Sequence, residues 1–259
     1  MTGRGIVFAP GRGARPGAWL PPPEEATPEE LERCPFCVGR EDRTPPETLR
    51  IGDPWRVRVV PNLYPAFDRQ EVVVHSPDHV RCFADLGDTQ IASLAEAWQH
   101  RIDAAAADGF GYVHALINEG RLAGSSLPHS HSQLVVLDRV PPPVAAEDRS
   151  ALDELLRHDD LRVLERNGAV AVIHYAGASP YESLVLGGTL ADLLGALRDL
   201  VGRVRKAEGP FAWNAWLHAT DPQHLHFVPR LTALAGVELG AGLYVNVVPP
   251  ERAAEALRG

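Results

Sequence analysis

Lysine is almost absent from this chain. Lys206 is the only one in 259 residues, and the other 24 of its 25 basic side chains are arginine. A phosphate clamp would therefore be built from arginine, histidine or backbone N–H groups. Positive charge as a whole is also short. With 34 acidic residues the formal net charge is −9, which leaves no basic face for sequence-independent binding to DNA or RNA. Long apolar runs are missing too: none approaches the roughly 20 residues needed to span a bilayer, and MTGRGIVFAPGRG lacks the apolar centre of a secretion signal. These absences predict a cytoplasmic protein with neither a nucleic-acid nor a membrane partner. Cysteine is scarce, and Cys34, Cys37 and Cys82 are too few for a disulfide framework. Apolar residues are plentiful, at 45% of the chain, enough to bury the core of one large domain or two small ones.

Periodicity along the chain repeats itself. QEVVVHS (70–76) reads as a strand, followed by a helix with Ile91, Leu94, Trp98 and Ile102 on one face, closed by Gly109. FGYVHALI (110–117) is a second strand, and after a Gly/Ser loop comes HSHSQLVVL. The order then recurs: ESLVLGG (182–188), a helix from Thr189 with Leu193, Leu197, Leu200 and Val204 along its face, FAWNAWLHA (211–219), a loop, and HLHFVPR (224–230). Such an order predicts an α+β fold built by internal duplication, with two copies packed as one pseudo-symmetric sheet. The prolines of 138–150 read as the connection between copies, dividing the chain into 1–145 and 146–259. Residues 1–50, rich in proline, are expected to be irregular and to wrap the first copy.

Cys34-Pro-Phe-Cys37 sets two soft ligands on one tight turn, which suits tetrahedral zinc. His79, His75, His114, and His129 or His131 are candidates for the remaining ligands. A redox CxxC would need a preceding strand and a helix beginning at the motif. No strand precedes Cys34, and prolines follow at 45 and 46. Two buried thiols without a metal are the plain alternative.

On a strand, residues i, i+2 and i+4 share one face. His129, His131 and Gln133 would then point the same way, and one imidazole could bind metal while its neighbour stayed free. A neutral imidazole held in one tautomer is a good nucleophile toward phosphorus. A nearby amide such as Gln133 can donate to a phosphoryl oxygen as charge builds there. Gly124, Ser125 and Ser126 supply further donors in the preceding loop. The second copy has Val228 where the first has Gln133, so only the first is chemically complete. Taken singly, a histidine on a strand is usually a solvated or hydrogen-bonded structural residue.

IVFAPGRGARP, CPFC, VRVVPNLYPAF, VVVHSPDH, INEG..AGSSLPHSHSQL, HLHFVPR and GLYVNVVPPERAAEALR together resemble the galactose-1-phosphate uridylyltransferase family of the histidine-triad superfamily, over nearly the whole chain. The resemblance implies two histidine-triad-like repeats in a half-barrel sheet with flanking helices. It also implies a nucleotidyltransferase that passes a nucleotide from a nucleotide-sugar to a sugar 1-phosphate through His131, with Gln133 on the transferred phosphoryl group and Ser126 supporting the nucleophile. Structural zinc would sit on Cys34, Cys37, His79 and His129. A second metal site, with iron or zinc, would use Glu147, His218, His224 and His226. Asn118, Gly124, Ser125, Arg15 and Asn62 fall on substrate-binding stretches, and Glu238, Tyr244 and Asn246 on a sugar-reading edge. Arg12, Arg56 and Arg58 are further phosphate candidates. A homodimer is implied as well. The family strand usually reads His-Pro-His-Gly-Gln. The serines at 130 and 132 look more like the relatives that act as ADP-glucose phosphorylases, in which phosphate accepts the nucleotide; water is the acceptor in related hydrolases.

Overall fold

The computed structural model describes residues 5–258. Residues 1–4, part of the N-terminal stretch read above for a leader, and residue 259 lie outside them. The strands are β1 (Gly5–Phe8), β2 (Leu49–Ile51), β3 (Val57–Pro61), β4 (Gln70–Val74), β5 (Tyr112–Glu119), β6 (His131–Leu137), β7 (Arg162–Arg166), β8 (Ala169–Ile173), β9 (Ser183–Leu186), β10 (Trp213–His218), β11 (His224–Pro229) and β12 (Leu243–Asn246). The α-helices are α1 (Pro28–Arg33), α2 (Asp88–Ala107), α3 (Pro142–Ala145), α4 (Arg149–Leu156), α5 (Leu190–Glu208), α6 (Gly236–Ala241) and α7 (Pro250–Arg258).

Ten strands form one sheet in the order β2-β3-β4-β6-β5-β10-β11-β9-β8-β7, and every neighbouring pair is antiparallel. Counted outward from the central β5–β10 pair, the two halves run in the same order: β5, β6, β4, β3, β2 on one side and β10, β11, β9, β8, β7 on the other. The expected α+β architecture with a large antiparallel sheet is the one observed.

The two long helices cover one face of this sheet. Thr189 caps α5 through a capping box with Asp192, satisfying N–H groups that the first turn leaves open. Its Leu193, Leu197, Leu200 and Val204 are buried, each contributing roughly 1.5–3 kcal/mol by leaving water. α2 buries Ile91, Leu94 and Trp98 in the same core, while Ile102 is only partly covered. Gly109, at φ +90°, turns the chain out of α2 into β5, a conformation that glycine adopts without a Cβ clash.

Two expectations need correction. Residues 5–20 do not wrap the first copy. β1 pairs in parallel with β12, Ala9 N–H donates to Asn246 O, and Leu20 N–H donates to Leu231 O. The segment therefore belongs to the second half of the molecule, because a short extended edge needs a partner strand and β12 offers one. The connection at 138–150 is also more ordered than its prolines suggest. Pro142 starts α3, where a missing N–H costs nothing, and α4 begins at Arg149 under an Asp148 cap. No helix among the described residues is long and apolar enough to cross a membrane.

Candidate functional site

β6 begins at His131, not at His129, so His129 is not a strand neighbour on the same face. It occupies the preceding loop, just after Pro128. The backbone there turns to meet residues 75–80: His75 N–H donates to Ser130 O, and Ser130 N–H donates to Val80 O. That turn brings the His129 ring to the cysteines, with Nδ1 3.4 Å from Cys34 Sγ and 3.8 Å from Cys37 Sγ. His79 Nδ1 lies 3.3 Å from Cys37 Sγ. All four donors lie within 4.8 Å of one another, and those measured spacings match donors set about 2.0–2.3 Å from a tetrahedral ion, which lie roughly 3.3–3.8 Å apart.

The hydrogen bonds around these rings also suit a metal. His129 Nε2 donates to Ser76 O at 3.0 Å, and His79 Nε2 donates to Glu30 Oε1 at 2.8 Å. Each ring therefore carries its proton on Nε2 and turns a Nδ1 lone pair toward the sulfurs. Burial holds the Cys37 thiol up at about 11, which a cation on the sulfur would reverse. His75 and His114 stay outside the group. His75 is buried against Ser130 Oγ at 2.9 Å, and His114 stacks on Tyr112.

His131 is buried, and its Nδ1 donates to His129 O at 2.7 Å. A carbonyl only accepts, so the proton sits on Nδ1 and the Nε2 lone pair is exposed to chemistry. Burial lowers the affinity of His131 for a second proton, opposed by that same bond. The ring is edged by Phe36 at 5.4 Å. Alternation along β6 sends Ser132 the other way, where its Oγ accepts from Trp98 Nε1 at 2.9 Å, and Ser130, just before the strand, meets His75 through its Oγ. Both serines anchor the strand to the interior and neither faces the open side with His131.

Gln133 is half-buried on the same face as His131, and its Oε1 accepts from Gln70 Nε2 at 2.6 Å. Asn118 reaches this side from β5. Its Oδ1 accepts from Asn214 Nδ2 at 2.7 Å, Asn214 Nδ2 also donates to Ala123 O, and Arg230 Nε donates to Asn214 Oδ1 at 2.6 Å. Because arginine only donates, this relay from the second half leaves the Asn118 NH2 as the free end. A small cleft of about 10 Å³ joins His131, Asn118, Ser125 and Glu119. Ser125 Oγ donates to Leu127 O, while Gly124 and Ser126 are exposed on the loop and are not among the walls of the cleft. Burial pushes the Glu119 carboxyl up to about 7, against donors from Phe83 N–H and Trp213 Nε1.

The second histidine set gathers around one carboxylate. His218 Nδ1, His224 Nε2 and His226 Nε2 lie 2.8, 3.1 and 3.3 Å from Glu147 oxygens, and the four residues form a second group able to hold a cation. Burial alone would raise Glu147, but hydrogen bonds from His218, His224 and His226 pull its carboxyl far below the ordinary range. His218 Nε2 accepts from Trp216 Nε1 at 3.2 Å, so in the neutral ring the proton lies on Nδ1, toward Glu147. A cavity of about 700 Å³ opens beside this group, with Glu238, Tyr244, Arg230 and Trp216 in its walls.

Several substrate candidates have other work. Asn246 is buried; its Nδ2 donates to Gly177 O and Ser179 O, and its Oδ1 accepts from Val248 N–H. Every polar atom of that side chain is used inside the fold, so Asn246 is structural. Arg58 is buried on Glu47 at 2.6 Å and so is not free to clamp phosphate, while Arg56 is exposed and donates its Nε–H to Ser93 Oγ at 2.8 Å. Arg12 and Arg15 are exposed on the segment that belongs with β12. Asn62 turns its Oδ1 onto Tyr64 N–H. Gln70, Glu30 and Asn214 are additions that sequence reasoning missed, since their roles depend on strand register and carry no local motif.

The chain is similar to known proteins along most of its length. The profile for galactose-1-phosphate uridyl transferase, N-terminal domain, matches residues 64–141. ADP-glucose phosphorylase of Arabidopsis thaliana is 27% identical over 317 aligned positions, covering 100% of this chain and 90% of that protein. A crystal structure of an Arabidopsis thaliana ADP-glucose phosphorylase with bound ADP-glucose superposes with a TM-score of 0.80 at 26% identity, over 98% of this chain and 94% of that one. Galactose-1-phosphate uridylyltransferase of Haemophilus influenzae is 29% identical, over 64% of this chain and 58% of that protein. In sequence and structure the chain is similar to members of the galactose-1-phosphate uridylyltransferase family.

Proposed function

We propose that this protein is a nucleotidyltransferase acting on nucleoside-diphosphate sugars through a covalent nucleotidyl-histidine on His131. One observation carries the reading: His131 donates Nδ1–H to His129 O, which leaves its Nε2 lone pair free in the cleft that Asn118 also lines, with Gln133 on the same strand face. Nε2 forms a bond to the α-phosphorus as the bond from that phosphorus to the bridging oxygen breaks. The sugar 1-phosphate leaves with the electron pair, and the positive charge developing on the ring is shared with His129 O through Nδ1–H. An acceptor phosphate oxygen then attacks the same phosphorus, the P–N bond breaks, and His131 returns neutral. The free NH2 ends of Gln133 and Asn118 meet phosphoryl oxygens, where negative charge builds.

Four protein donors would fill a zinc shell at Cys34, Cys37, His79 and His129, which makes that metal structural. It would fix His129, and through its carbonyl the tautomer of His131. Glu147, His218, His224 and His226 would take a second divalent cation. Tyr244 and Glu238, in the walls of the larger cavity, are placed to read a sugar. We place the boundary between repeats near 145, and a homodimer in the cytoplasm completes the reading. Sequence likeness over its full length to ADP-glucose phosphorylase favours inorganic phosphate over a sugar 1-phosphate as the acceptor.

The test is intact mass spectrometry after incubation with ADP-glucose or UDP-glucose. Wild type is expected to gain a nucleotidyl increment, whose mass names the base, and His131→Ala to gain none. Release of nucleoside monophosphate without any adduct or exchange of labelled sugar 1-phosphate would defeat the reading in favour of hydrolysis.

A further inference from the structure

Glutamine amides are symmetrical in shape but opposite in chemistry at their two ends. For Gln133 to stabilise a phosphoryl oxygen, its NH2 must face the substrate; turned over, its Oε1 would set a lone pair against an anion. We propose that Gln70 is a positioning residue that fixes this choice. The inference rests on the transfer reading above for its catalytic consequence, though not for its geometry.

Register places the two side chains together. Val72 pairs with Gln133 and Gln70 with Val135 across β4 and β6, so Gln70 and Gln133 stand on one sheet face as diagonal neighbours. Gln70 Nε2 donates to Gln133 Oε1 at 2.6 Å. The direction of that bond follows from its other end. Ala66 N–H donates to Gln70 Oε1 at 2.9 Å, and a backbone N–H cannot accept. Gln70 must therefore present Oε1 to Ala66 and Nε2 to Gln133, which leaves the Gln133 Nε2 as the outward end. The loop supplying Ala66 is held at its base, where Asn62 N–H donates to Gln70 O and Asn62 Oδ1 accepts from Tyr64 N–H. Orientation thus passes from a loop backbone through Gln70 to Gln133. Neither Gln70 nor Gln133 lines the small cleft itself; Gln133 stands two residues along β6 from His131, on the same face.

Two substitutions separate orientation from mere support. Gln70→Glu keeps the size and the acceptor for Ala66, but its second oxygen only accepts, so Gln133 must turn its NH2 inward. Gln70→Leu removes the partner and lets Gln133 take either end. Single-turnover formation of the His131 adduct with ADP-glucose and with UDP-glucose is the readout. The rate is expected to fall on the order of 10²-fold in Gln70→Glu and about tenfold in Gln70→Leu, with half-saturation moving less than about threefold. Neither change slows the Gln133→Ala protein further, since the two residues act in series. Equal losses in the two variants, wild-type rates, or losses that persist in Gln133→Ala would each overturn the relay.

A second measurement needs no turnover. The side-chain NH2 resonances of Gln133, assigned by their loss in Gln133→Ala, move downfield in Gln70→Glu as those protons turn to a carboxylate. Unmoved resonances reject the relay. Resonances that move in a protein forming no adduct reject the transfer reading and leave the relay standing.

Discussion

β6 and β11 occupy equivalent places in the two halves of the sheet, and a histidine pair marks the start of each: His129 lies just before β6 and His131 opens it, while His224 and His226 both lie within β11. What differs is where the ring nitrogens point. In the first half, His129 has its Nε2–H on Ser76 O and its Nδ1 toward the cysteines, while His131 keeps Nε2 free. In the second half, His224 and His226 turn their Nε2 atoms onto Glu147, and His218 adds its Nδ1. Gln133, oriented by Gln70, has Val228 as its counterpart. An imidazole becomes a nucleophile when one nitrogen is pinned and the other has no competing partner. The second half contains the residue type without that vacancy of partners, so histidine pairs alone do not mark chemistry.

The most drastic way to break the comparison is to exchange the roles. His131→Ala is expected to reduce adduct formation by more than 10³-fold, whereas His226→Ala leaves it within about threefold of wild type; an adduct that depends on His226 would reverse the assignment of halves. Next in size is the metal. Cys37→Ser should lose one equivalent of bound metal by elemental analysis and lower the unfolding midpoint on the order of 10 °C. Glu147→Gln should leave that equivalent in place and lower the midpoint by only about 2–4 °C, because it weakens a cluster at the edge of a cavity. The opposite ranking would make the second site the structural one.

The link between halves is expected to matter less. Asn214→Leu cuts the relay from Arg230 to Asn118 and should slow adduct formation about tenfold while metal content stays constant. A change confined to the unfolding midpoint would assign the relay to stability alone.

The smallest effect concerns Glu119, which joins the halves through Trp213. Its folded carboxyl is raised to about 7 from the ordinary 4.5. Between those values the native state keeps a proton that the unfolded chain has lost, so stability present below pH 4.5 is lost as pH rises to about 7. Denaturant titrations of the metal-loaded protein across this range should show that decline, and Glu119→Gln should flatten it. An identical slope in the variant would remove Glu119 from the account.

Much of the fold was legible before any coordinates. Leu193, Leu197, Leu200 and Val204 share a face because an α-helix repeats every 3.6 residues, and they are buried together. The Asn167-Gly168 turn between β7 and β8 is carried by the sequence too, with both residues at positive φ as a two-residue hairpin requires. The grouping of Cys34, Cys37, His79 and His129 was open to resemblance but not to spacing, since 42 residues separate Cys37 from His79 and 50 separate His79 from His129.

Local pattern determined the element types, the apolar faces and the repetition of strand, helix, strand and histidine pair, because those depend on neighbours within a turn or two of chain. Only the tertiary structure decided that His129 leaves the strand to meet the cysteines, that Ser130 and Ser132 face inward, that Asn246 spends its amide on the fold, and that β1 crosses to β12. Strand order and register settle such matters. They bring together side chains as distant in sequence as Gln70 and Gln133, and a shift of one residue would have turned either amide to the opposite face.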